Sequence, residues 1–169
     1  NRDDGFITHE PDGNDNFARK EDQLLRLKLA YEPSYIDGFD SLLTLSSDRK
    51  DGQPAYNIER GVAGADPEQR RTSTVNERTR DLVESDLVSW RNHYQFSDQL
   101  ELTSITAYMS TFQDYQRDYD GLEEDSGYNP ITNDGTNLTQ ELRLNFTNVG
   151  PYTGVVGLYA GRFKRDNNV

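Results

Sequence analysis

His9 and His93 are the chain's two histidines. His9 lies in a Pro/Gly/Asp-rich stretch, His93 within an alternating segment. No segment supplies a nucleophile elbow or a Gly-rich phosphate cradle around which either could act. There is no cysteine, which excludes structural disulfides and thiolate metal sites. The chain is therefore read as a non-enzyme with no cofactor. Asp118, Asp120, Glu123, Glu124 and Asp125 form an oxygen-rich cluster of the kind that suits a hard cation. Their spacing is not that of an EF-hand loop, so the cluster reads as a solvated surface loop and no metal site is assigned. The better binding chemistry is cationic. Residues 50–82 gather Lys50, Arg60, Arg70, Arg71, Arg78 and Arg80 against Asp51, Glu59, Asp66, Glu68, Glu77 and Asp81, a balanced stretch in a chain of net charge −12. Guanidinium groups pair with carboxylates through planar, bidentate contacts, which makes Arg60, Arg70, Arg71, Arg78 and Arg80 the candidate residues for an anionic ligand. A surface loop whose charges pair among themselves is the competing reading.

Composition sets the frame for these residues. The acidic balance argues against nucleic-acid binding, which needs a basic footprint. Leu, Ile, Val and Phe make up about 21% of the 169 residues, barely above the roughly 20% below which a strongly charged chain is expected to stay disordered. Such a chain does not build a large core of its own, so its apolar side chains are expected to serve one face of an incomplete structure. The start at Asn1-Arg2-Asp3-Asp4, without a signal peptide, and the stop just after an alternating segment read as an excised piece of a longer protein.

Six segments alternate and are rich in strand-forming residues: about 24–32, 39–48, 86–96, 99–114, 137–147 and 154–165. In the fifth, Leu142, Leu144 and Phe146 share one face while Glu141, Arg143 and Asn145 share the other, because strand side chains alternate with period two. In the first, Leu25, Leu27, Leu29 and Tyr31 oppose Arg26 and Lys28. In the third, Val88, Trp90, Tyr94 and Phe96 share a face that Asn92 interrupts. The second, fourth and sixth alternate too loosely for their faces to be assigned.

The connections carry more information. Residues 33–38, the pair Ser97-Asp98 and residues 148–153 are short and turn-rich, whereas about 49–85 and 115–136 are long. In an up-and-down meander, alternate links fall at opposite ends, so every tight turn sits on one rim and every long loop on the other. Transmembrane barrels have this asymmetry, with short periplasmic turns and longer extracellular loops. Tyr31, Phe39, Phe96, Phe146 and Tyr152 fall near the tight-turn rim, where an interfacial aromatic girdle is expected.

Asp4-Gly5-Phe6-Ile7, Leu24-Leu25-Arg26-Leu27-Lys28-Leu29 running into Tyr31-Glu32-Pro33-Ser34, Leu102-Thr103-Ser104-Ile105-Thr106-Ala107-Tyr108, and Gln140-Glu141-Leu142-Arg143-Leu144 followed by Gly157-Leu158-Tyr159 together resemble the barrel wall of TonB-dependent outer-membrane receptors. The resemblance runs from end to end of the chain. It implies a barrel of about 22 strands with a plugged lumen, of which residues 1–169 would be a partial barrel domain, roughly a quarter of the wall. The plug domain, the signal peptide and the segment that contacts TonB are expected elsewhere in the full-length protein. The implied role is TonB-energised uptake of ferric siderophores or other bulky nutrients, with the ligand met at the extracellular loops and outer-membrane lipid around the wall. The expected fold is thus all-β, an antiparallel meander of about six strands forming a segment of a large transmembrane β-barrel in the bacterial outer membrane. The rival is a soluble extracellular β-sandwich serving as a binding or adhesion module.

Overall fold

The computed structural model describes residues 2–5, 7–9, 13–53, 72–73, 79–118 and 128–168. Among them there is no helix. The strands are β1 (Arg2–Asp3), β2 (Ile7–His9), β3 (Asn14–Phe17), β4 (Lys20–Tyr31), β5 (Phe39–Gly52), β6 (Thr72–Ser73), β7 (Arg80–Ser97), β8 (Leu100–Asp118), β9 (Tyr128–Val149) and β10 (Tyr152–Asn168). One seven-stranded sheet takes the order β1-β4-β5-β7-β8-β9-β10, and a three-stranded sheet the order β3-β2-β6. All pairings in the large sheet are antiparallel, so β4 to β10 form a meander that does not close on itself. The all-β antiparallel meander expected from the alternation is the architecture found. All six expected segments are strands of it.

The tight links are built by residues suited to sharp reversal. Gly150 (φ +60) and Pro151 separate the paired Val149 and Tyr152, with glycine in the first central position as a type II′ turn requires. Gly38 (φ +74) ends the link between β4 and β5. A Cβ there would stand 2.6 Å from the Gln95 carbonyl oxygen, and Gln95 N donates to the Gly38 oxygen at 2.8 Å. Here the left-handed backbone and the close approach both demand glycine. The β7–β8 reversal falls on Asp98 and Gln99, one residue later than expected, behind a bulge between Gln95 and Ser97.

The expected long loops are shorter in the structure. β5 runs on to Gly52, β7 begins at Arg80, β8 reaches Asp118 and β9 starts at Tyr128. Apolar alternation stops well before these ends, but the backbone ladder does not. Cross-strand ion pairs such as Arg49–Glu84 and Arg80–Asp114 join the ladder there, around the buried Leu82.

The small sheet was not foreseen. It joins the N-terminal hairpin β2–β3 to β6, a parallel two-residue contact from the connection between β5 and β7. Ile7 is fully buried against Phe17, with Ala18 packed beside them. Since β1 pairs with the start of β4 at Lys20 and Glu21, and Lys20 lies opposite Gly52, the chain places this sheet at the long-loop rim.

Candidate functional site

Directly opposed residues in an antiparallel ladder project to the same face, so the registers assign every strand, including the three that alternation left open. One face collects Leu25, Leu27, Leu29 and Tyr31 of β4, Leu43 and Leu45 of β5, Val88 and Trp90 of β7, Leu102 and Tyr108 of β8, Leu138, Leu142 and Leu144 of β9, and Val156 and Leu158 of β10. These side chains are not covered: Leu25 is 74% exposed, Leu158 72% and Trp90 52%. Among the described residues the apolar core is limited to Ile7, Phe17 and Leu82. The hydrophobic side of the sheet is thus uncovered, with no second sheet packed on it among the described residues.

This band contains a few polar side chains, most of which bond to one another, and one charged residue, Arg162, opposite Leu138 at its loopward limit. Trp90 Nε1 donates to Ser41 Oγ at 2.8 Å, and Ser41 donates to Asn92 Oδ1 at 2.8 Å. Two strands on, Gln140 Nε2 donates to Ser104 Oγ at 3.1 Å while its Oε1 accepts from Thr106. The Asn92 interruption in the third segment is half of such a pair. Toward the long-loop end the same face turns charged, at a level set by Ser47, Asp86, Ser110, Thr136 and Lys164. Above it Arg49 pairs with Glu84 and, at 3.4 Å, with Asp51. Arg80 bridges Asp51 at 3.7 Å and Asp114 at 3.1 Å.

The opposite face is mainly polar, with apolar side chains such as Leu42, Leu87, Ile105, Met109 and Phe163 set among its charged and polar ones. A chain of contacts crosses four strands near the tight-turn rim. Arg91 Nη2 lies 3.2 Å from Asp40 Oδ2, Asp40 Oδ1 is 2.8 Å from His93 Nδ1, and His93 Nε2 is 3.3 Å from Glu101 Oε2. Asn145 Nδ2 completes it by donating to Glu101 Oε1. The imidazolium form of His93 donates to both carboxylates. Beside this chain Arg143 pairs with Glu141. Sequence reading placed His93 in a strand but missed the chain, because its members meet only through the register of β5, β7, β8 and β9. Chemically, this is a wall for water or a polar partner, with alternating charge.

Of the candidate arginines, only Arg80 is described. It opens β7 on the band's side of the sheet and is engaged by two carboxylates. Arg60, Arg70, Arg71 and Arg78 lie outside the described residues, as does the acidic cluster beyond the backbone of Asp118. Among the described residues no group of three or more His, Asp or Glu is arranged to hold a metal ion. In comparisons with known proteins, no family model, no curated protein and no solved structure matches this chain.

Proposed function

We propose that the chain is part of the wall of an outer-membrane β-barrel, with the apolar band against lipid, the polar face toward the lumen and the long connections at the cell surface. The observation that carries this reading is the shape of the band. It is continuous across six strands, uncovered, and replaced by charge at nearly one level, a row earlier on β10, where Arg162 lies opposite Leu138. On β7, β8 and β9 it covers residues 88–96, 100–108 and 138–146, matching the roughly 9–11 residues with which a tilted strand crosses a bilayer. The paired polar groups on it suit a medium without water, where an unsatisfied group costs several kcal/mol. A sandwich would need a second apolar sheet facing this one.

Within such a barrel, the role we infer is a receptor for TonB-energised uptake of ferric siderophores or other bulky nutrients. That part rests on the resemblance of residues 24–34, 102–108 and 140–144 to receptor barrel walls, and on the arginines between β5 and β7. TonB itself would be met by another part of the full-length protein. The chain has no cysteine, so single cysteines placed one at a time along 138–146 of the full-length protein test the wall directly. In intact outer membranes, a water-soluble maleimide should label the odd positions and spare the even ones up to Phe146. Uniform labelling, or recovery of the protein from the soluble fraction, would favour the sandwich.

A further inference from the structure

We propose that a depression on the polar face, between β8, β9 and β10, binds a small aromatic carboxylate. The hollow has a volume of about 340 Å³, at the small end of ligand pockets and the right scale for a single ring. Its centre is Gly135, opposite Thr111 on one side and Arg165 on the other. A Cβ at Gly135 would come within 2.5 Å of Thr111 Oγ1, so glycine keeps this stretch of wall low.

Three features of the lining point to the ligand's chemistry. Met109 and Phe163 stand in the next row toward the tight turns, flanking Asn137. Phe163 is 64% exposed although it sits on the polar face, leaving an aromatic surface and a thioether to meet another ring. Arg165 makes no ion pair among the described residues; its Nε donates only to Asn167 Oδ1, at 3.0 Å. The neighbouring Asp134 and Asp166 belong to the other face by register. The guanidinium is thus available to a carboxylate. Asn137 Oδ1 is enclosed and has no hydrogen-bond partner among the described residues. The final torsion of asparagine is broad, so a small rotation brings that oxygen to a donor inside the hollow.

Arg165 and Asn137 are diagonal neighbours on adjacent strands, their Cα atoms about 7–8 Å apart. A ring bearing a carboxylate at one end and a hydroxyl at the other spans that separation with its body over Phe163 and Met109. The assignment stands whether or not the opposite face meets lipid.

Met109 is the only methionine, so a methyl-¹³C-methionine label gives a single resonance inside the site. The full chain, held monodisperse in detergent, would be titrated with 4-hydroxybenzoate. A saturable shift of that resonance is expected, with a dissociation constant on the order of 1 mM for so small a ligand. Benzoate, lacking the hydroxyl, should bind several-fold more weakly. Arg165→Gln, an exposed and conservative change, should weaken binding at least five-fold with the free-state spectrum unchanged, and Phe163→Ala gives a second variant of the same site. The proposal is overturned by a shift that stays linear to the solubility limit, by unchanged affinity in both variants, or by a response of Trp90 fluorescence without movement of the Met109 methyl.

Discussion

Arg143 and Leu144 are adjacent in β9 and face opposite sides of the sheet. Leu144 sits between Leu102 and Val156 in the apolar band, whereas Arg143 is paired with Glu141 on the polar wall. In a membrane barrel, a cation on the lipid face near mid-bilayer costs about 2–4 kcal/mol. Leu144→Arg in the full-length protein should therefore block outer-membrane assembly, while Arg143→Leu is tolerated; equal tolerance of the two would count against a lipid-facing band. The Trp90–Ser41–Asn92 trio supplies a subtler test of the same environment. Ser41→Val strands both the indole N–H and the asparagine oxygen, whereas Trp90→Phe removes one donor and leaves Ser41 bonded to Asn92. In a dry band the serine substitution should be the costlier, by about 1–3 kcal/mol for each stranded group. Were the band wet, water would replace the lost partners and the change would fall within about 0.5 kcal/mol, as surface substitutions do. Equilibrium unfolding of the two variants from lipid vesicles reads the difference.

At the level of strands and turns, the turnward halves were legible in the sequence and the loopward halves were not. Residues such as Leu25, Leu27 and Leu29, or Leu142, Leu144 and Phe146, announce a half-buried strand because alternation is the pattern that one apolar face imposes. Past Leu45 or Tyr108 that pressure ends. The ladder continues through Arg49, Glu84 and Asp114, residues that in one dimension look like loop. The polar chain through Asp40, His93 and Glu101 was hidden for a related reason: register is a property of pairs of strands and no single strand carries it. The small sheet around Ile7 escaped notice because strands of two to four residues are too short to alternate. This division has a measurable consequence. The loopward ion pairs are partly exposed, with Arg49 46% and Arg80 38% accessible, so salt should weaken them. Raising sodium chloride to about 1 M, where the screening length is about 3 Å, should speed amide exchange in residues 80–86 and 110–116 and leave 88–94 and 102–108 unchanged. Uniform acceleration would mean that the ladder is one cooperative unit. Turn chemistry separates similarly. Gly38→Val combines a left-handed backbone with a clash against the Gln95 carbonyl and should cost more than about 2 kcal/mol. Gly150→Ala meets nothing within 4 Å and should cost only the backbone term of about 1–2 kcal/mol. Comparable losses on thermal unfolding would remove the close approach at Gly38 from the explanation.

As a whole, the described molecule is a sheet with an uncovered apolar side and two long edges: β10, and β4 beyond its short pairing with β1. Open edges present unpaired N–H and C=O groups to any strand that approaches. Together with the bare band they lead to a plain expectation for the isolated chain. It should associate with rising concentration in water and become monodisperse in detergent; a sharp, high-temperature melt of a monomer in plain buffer would speak for a self-contained sandwich. The remaining question at this scale is what the connection between β5 and β7 contributes. Its ends belong to the ladder, since Gly52 pairs with Asp81 and Lys50 with Val83, so excising all of 50–82 would damage the wall as well as the loop. Replacing only residues 54–78 with a short Gly-Ser link leaves those pairs and Arg80 in place, while removing Arg60, Arg70, Arg71 and Arg78. Assembly of the full-length protein should survive, because loop closure changes by only about 0.6 kcal/mol per doubling of length. One local loss is expected: β6 goes with the loop, so β2 keeps its pairing with β3 but loses its parallel neighbour. Capture of an anionic ligand at the cell surface should weaken, since guanidinium groups are the part of this connection suited to carboxylate or catecholate oxygens. On the proposed reading the measurement is ligand affinity on whole cells normalised to the abundance of the protein in the outer membrane, with Ile7→Ser as a control that disturbs the small sheet without touching the arginines. Loss of affinity in the loop replacement but not in the control assigns capture to the arginines. Equal loss in both assigns it to the small sheet, and unchanged affinity in both removes this rim from the binding site.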